Sequence, residues 1–110
     1  MLTISGTTRI LMYKGNVDMR KSFEGLGVIT EKTFPQQLLT GALFVFLNKR
    51  RDKMKVLYWD KDGLAIWYKR LEKGSFSSDH TKEEEMSRTE FFMLLEGITP
   101  KRLQKRWRKP

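Results

Sequence analysis

The sequence predicts an α+β fold: a small, mainly antiparallel meander sheet of three or four strands packed with two principal helices. Three observations carry it. Residues 41–71 fall into short apolar, β-branched and aromatic runs divided by polar turns, whereas residues 18–29 repeat their apolar side chains every three or four positions. A capping box at Ser87-Arg88-Thr89-Glu90 opens a second helical stretch. With 110 residues the chain has the size of one domain, set here at residues 1–100 and followed by a basic tail at 101–110.

Taken in order, Arg9–Tyr13 is a short strand, with Ile10 and Met12 alternating against Leu11 and Tyr13. Asp18 offers an N-cap to an amphipathic helix of about three turns, in which Met19, Phe23, Leu26 and Val28 or Ile29 share a face. Gly25 and Gly27 each cost about 1 kcal/mol relative to Ala in a helix, which predicts close packing against a neighbour there. Phe34-Pro35 ends the helix, since the residue before proline avoids the α region and proline lacks a donor.

The meander follows. Ala42–Leu47 and Met54–Trp59 are strands joined by the basic turn Asn48–Lys53. Asp60-Lys61-Asp62-Gly63 is a hairpin turn with Gly63 expected at positive φ, and Leu64–Leu71 is the third strand. These strands are apolar on both sides: Phe44, Phe46, Val56, Tyr58, Ile66 and Tyr68 cannot all share a face with Leu43, Val45, Leu57, Trp59 and Trp67. The helices are expected to cover one side and a partner the other. Gly74–Glu85 reads as a polar loop holding His80. Phe91, Phe92, Leu94 and Leu95 then give the second helix its apolar face, and Gly97 ends it with Pro100 beyond.

Charge narrows the partners. The formal net charge is +9, distributed as +2 over residues 1–47, +5 over 48–75, −4 over 76–100 and +6 over the last ten. Two basic zones flanking an acidic one suggest a localised footprint for an anionic partner. No cysteine and one histidine leave no disulfide framework, thiolate nucleophile or Cys/His zinc site. Asp52, Asp60 and Asp62 are the close carboxylates outside Glu83–Glu85, but they occupy turn positions where Asp is favoured, so neither a metal-dependent nuclease nor another enzyme is expected. Gly25-Leu26-Gly27 lacks the remaining glycines and the lysine of a phosphate loop, and no cofactor is expected. Met1–Gly15 lacks the form of a secretory signal, and the longest apolar run, Ala42–Leu47, is far short of the roughly 20 residues that span a bilayer; a cytoplasmic protein without membrane contact is expected. Trp107, within Lys105-Arg106-Trp107-Arg108-Lys109, can stack on a base while its neighbours hold phosphates, or fold back onto the domain.

Four stretches in fixed order carry a family likeness. They are Asp18-Met19-Arg20-Lys21-Ser22-Phe23-Glu24-Gly25-Leu26, Gly41–Arg50, Lys55-Val56-Leu57-Tyr58-Trp59-Asp60 with Gly63, and Tyr68–Phe76. Met93–Gly97 and Arg106-Trp107-Arg108 extend them, so that the likeness spans roughly residues 5–108. They resemble the small TnpB-type, or Orf2-like, accessory protein of bacterial insertion sequences of the sixty-six family, distinct from the much longer RNA-guided nuclease that shares the TnpB name. The resemblance implies a protein encoded beside a separate transposase and needed for efficient transposition.

Two functions are compatible with these features. One is a non-catalytic accessory module that binds DNA at element ends without base-specific readout. Its candidate contacts are Arg20 and Lys21, then Lys49, Arg50, Arg51, Lys53, Lys55, Lys69 and Arg70 on one sheet edge, and Arg106, Trp107 and Arg108 in the tail. About six neutralised phosphates would give a slope of log affinity on log salt near −5. The other is an interaction subunit that docks on the co-encoded transposase, with a two-faced apolar sheet and a tail able to order on binding.

Overall fold

The chain runs β1 (Ile10–Asn16), α1 (Phe23–Thr33), β2 (Leu43–Leu47), β3 (Lys53–Asp60), β4 (Gly63–Arg70), β5 (Glu85–Met86) and α2 (Arg88–Glu96) in the computed structural model, which describes residues 4–76 and 84–96. The class is α+β, and β2, β3 and β4 form the expected antiparallel meander. The whole sheet is nevertheless mixed. Its order is β4-β3-β2-β1-β5, with β1 parallel to β2 and β5 antiparallel to β1. A parallel pair needs a crossover, and α1 supplies it. β5 is a fifth strand cut from the end of the expected loop: Glu85 pairs with Leu11 and Met86 with Ile10. Gly97, Pro100, His80 and Glu83 lie outside the described residues.

Alternation along the strands divides the core in two. On one face, Leu11, Phe44, Phe46 and Leu57 are buried with Leu26 of α1 and with Phe34. On the other, Ile10, Met12, Leu43, Val45, Met54 and Val56 are buried with Phe76, Met86, and Phe91 and Leu94 of α2. Both faces are therefore covered from within the chain. This corrects the expectation that one face is left for a partner; its cause is that α2 is apolar enough to take the second face.

Three local expectations are also corrected. The helix begins at Phe23 with Ser22 at the N-cap position, and Asp18 instead closes the preceding turn, its Oδ1 accepting from the Arg20 amide at 2.8 Å. In the hairpin the left-handed residue is Lys61, at φ 59°, and Gly63 enters β4 at an ordinary angle. Phe92 points outward from α2 and is 42% exposed, one position away from the Phe91/Leu94 stripe. The capping box forms as expected: Ser87 Oγ accepts from the Glu90 amide at 3.0 Å, and Glu90 Oε1 accepts from the Ser87 amide at 2.9 Å.

Gly27 is buried, but a Cβ there would meet only Leu38 Cδ2 at 3.9 Å, an ordinary contact. Close packing does not explain this glycine. Gly27→Ala should therefore raise the unfolding free energy by about 0.5–1 kcal/mol through helix propensity, read by urea denaturation. A loss of stability would show that α1 cannot accommodate the added methyl.

Candidate nucleic-acid interface

The turn between β2 and β3 is built by one side chain. Asn48 Oδ1 accepts from the amides of Asp52 at 3.1 Å and Lys53 at 3.0 Å, while its Nδ2 donates to Asp52 Oδ1 at 2.7 Å. Arg51 completes the reversal in the left-handed region, at φ 59°. With its backbone groups held in this way, the turn presents Lys49 and Arg50 to solvent, both exposed. The hydrogen bond from Asn48 also holds the Asp52 carboxyl below its ordinary value. Asp52 stays ionised beside Lys53, whose Nζ lies 4.0 Å away.

Facing this turn is the connection between β1 and α1. Asp18 folds it by accepting from the Lys21 amide through its own carbonyl at 3.0 Å. Its carboxylate also takes the Arg20 guanidinium, with Nε at 3.0 Å and Nη2 at 2.7 Å from Oδ2. The Arg20 side chain and amide together hold the Asp18 carboxyl at about 2. Arg20 thus reaches the surface as one half of a charge pair.

Between the two walls lies an open groove of about 620 Å³, lined by Asn16, Val17, Asp18, Met19, Arg20, Asn48, Lys49, Arg50, Lys53 and Tyr68. Four of the expected contacts, Arg20, Lys49, Arg50 and Lys53, meet here although they are up to 33 positions apart in sequence. Arg70 is the cross-strand partner of Lys53 and so shares its face. It leans on Glu72, with Nη2 3.3 Å from the carboxylate.

The remaining expected contacts separate. Lys55 is 8% exposed, and its Nζ donates to the carbonyls of Met19 and Lys21, each at 2.8 Å, while lying 4.8 Å from the Tyr68 ring centroid. It ties the Asp18 connection to the sheet and is not available to a phosphate. Lys21 is exposed but does not line the groove; its carbonyl serves Lys55. Arg51 lines a smaller concavity with Lys14, Gly15 and Leu47, and its carbonyl accepts from the Phe76 amide at 2.6 Å. Lys69 pairs with Met54, which puts it on the α2 face, beside Leu71, Lys73 and Leu95. The single basic edge expected from the sequence is thus divided: strand alternation turns Lys69 to the α2 face, burial takes Lys55, and Arg51 falls beside another concavity. Arg106, Trp107 and Arg108 lie outside the described residues.

Asn48 and Tyr68 also line the groove and are not among the contacts expected from the sequence. Asn48 gave a signal, since Asn is favoured where a side chain must bond the backbone of a turn. Tyr68 reads in the sequence as one of several apolar strand residues; its place on the outermost paired strand leaves it 50% exposed. Asp52 and the pair Asp60 and Asp62 stand at opposite ends of β3 and are not brought together. Among the described residues no helix is long and apolar enough to cross a membrane.

Comparison with known proteins agrees with the motif likeness. Residues 8–105 match the family described as IS66 Orf2 like protein. The uncharacterized protein y4jC of Sinorhizobium fredii (strain NBRC 101917 / NGR234) is 31% identical over 108 residues, covering 96% of this chain and 92% of that protein. Its y4hO, also uncharacterized, is 30% identical over 110 residues, covering 98% and 96%. No solved structure matches significantly. The chain belongs to the IS66 Orf2-like family of insertion-sequence proteins.

Proposed function

We propose that the protein is a non-catalytic accessory factor that holds the DNA backbone, without base readout, in the groove between the Asp18 connection and the Asn48 turn. The observation behind it is the convergence of Arg20, Lys49, Arg50 and Lys53 on one open groove beside an exposed tyrosine. Flexible lysines and a forked arginine are suited to phosphate oxygens, and the Tyr68 hydroxyl can donate to one. Base-specific readout is not part of the proposal, because contacts of this kind position a duplex and carry no sequence information. The basic tail, with Arg106, Trp107 and Arg108, adds further phosphate contacts in this proposal.

Lys55 and the Asp18-paired Arg20 reduce the cations free to neutralise phosphates in the folded domain. With Lys53 and Arg70 also set beside Asp52 and Glu72, Lys49 and Arg50 leave about two, for a salt slope near −1.8 from the domain and a steeper one with the tail. Fluorescence anisotropy against element-end and random duplexes over a salt series tests this. The expected result is equal affinity for both duplexes, with Lys49→Glu/Arg50→Glu weakening binding at least tenfold and flattening the slope by about 2. Absence of binding at low salt would overturn it.

A second function, docking on the co-encoded transposase, has one specific support: an apolar groove beside α1 formed by Phe23, Val28, Leu38 and Leu64, in which Phe23 and Val28 are exposed. Co-purification of the two proteins with and without DNA distinguishes the functions, since only docking survives nuclease treatment.

A further inference from the structure

We infer that the outer edge of β4 pairs antiparallel with the same edge of a second copy, in a register centred on Ile66. The two ends of the sheet differ. At one end β5 is two residues long, and Arg9 is clamped to Glu85 across its pairing with β1. At the other, β4 offers eight residues, and among the described residues no strand pairs with its outer side. Sheets normally guard such an edge with charges, proline or a bulge. Here Leu64-Ala65-Ile66-Trp67-Tyr68 has none of these, its pairing with β3 is unbroken, and its side chains are only half-buried or exposed.

The sequence of this edge is complementary to itself. It begins beside Asp60 and Asp62 and ends in Lys69 and Arg70, so an antiparallel copy sets acidic against basic at both ends. Centred on Ile66, the register places Leu64 opposite Tyr68 of the second copy and brings Asp62, in the turn before β4, to the Arg70 end of that copy's strand. Ala65 falls opposite Trp67, a small side chain facing a large one. Each pair lies on one face, because positions whose numbers sum to an even value share parity. Residues 64, 66, 68 and 70 belong to the α1 face, where Leu64 and Ile66 already pack, and Asp62 lies in the turn just before β4. The result is one continuous ten-stranded sheet with both α1 helices on the same side. This inference does not depend on the groove binding DNA.

Sedimentation of the full chain without DNA, over a concentration series up to about 100 µM, is the first measurement. A reversible dimer is expected. Asp62→Arg and Arg70→Asp should each weaken it at least tenfold, because each sets like charges together at two symmetric points. A one-to-one mixture of the two variants should restore it, since both points then carry opposite charges. Amide exchange within β4 of the unmodified protein should slow as concentration rises, a readout independent of any variant. A monomer throughout the series, β4 exchange indifferent to concentration, single variants that dimerise undiminished, or a mixture of folded variants that stays monomeric would each overturn the inference.

Discussion

Phe91→Ala should lower the unfolding free energy by about 3–5 kcal/mol, a large share of the 5–15 kcal/mol typical of a whole domain. Phe91 has no exposed surface and belongs to the cluster that includes Met12, Val45, Met54 and Val56. The loss goes beyond a cavity. α2 has nine residues, well below the roughly 12–15 at which an isolated helix is even marginal, so it stays helical through packing. Removing its main anchor should undock it and expose the face of the sheet it covers. Urea denaturation reads the free energy, and dye binding to exposed apolar surface in the native baseline reads the undocking. Phe92→Ala, on the outward side of the same helix, should cost less than about 1 kcal/mol. Equal losses at the two positions would mean that α2 does not pack through the Phe91 stripe.

Lys55→Ala should cost about 3 kcal/mol, a large effect for a lysine. Hydrogen bonds to a charged group contribute about 1.5–3 kcal/mol each, and Lys55 donates two, to the Met19 and Lys21 carbonyls. Its stem also packs opposite Phe46 across the strand pair. Lys55→Met keeps most of that packing and loses the ammonium, so it should fall between the unmodified protein and the alanine variant. The distinguishing readout is local: amides of the 18–22 connection should exchange faster, because the tie that holds them to β3 is gone. If Lys55→Met instead left stability unchanged and weakened DNA binding alone, the lysine would be a phosphate contact.

Lys55 also shows where the sequence stops being legible. Local pattern sufficed for β2, β3 and β4, because alternation and turn residues are properties of neighbouring positions. The capping box at Ser87 was readable for the same reason. By contrast, Lys55 looks like one more cation beside Lys53, since its partners lie 36 and 34 positions upstream and are backbone carbonyls, which carry no sequence signature. The parallel pairing of β1 with β2 was invisible too. A strand of Ile10 and Met12 against Leu11 reads alike in either direction, and the choice is made by α1 crossing the sheet. β5 has two residues and no period. In the groove, Lys49, Arg50 and Lys53 were legible as a basic turn, but the arrival of Arg20 opposite them, already paired with Asp18, needed the fold.

The mixed sheet also bears on how the chain reaches its native state. β2, β3 and β4 are joined by short turns and can zip locally. β1 must close a loop across α1 before it meets β2, and β5 pairs with β1 from 76 positions away. Contacts of such separation form late, because their closure entropy precedes any reward. The meander is thus the natural nucleus, and the β1–β5 end is assembled last. Substitutions at Met86 or Glu85 should then act almost wholly on the unfolding rate, leaving the folding rate near that of the unmodified chain.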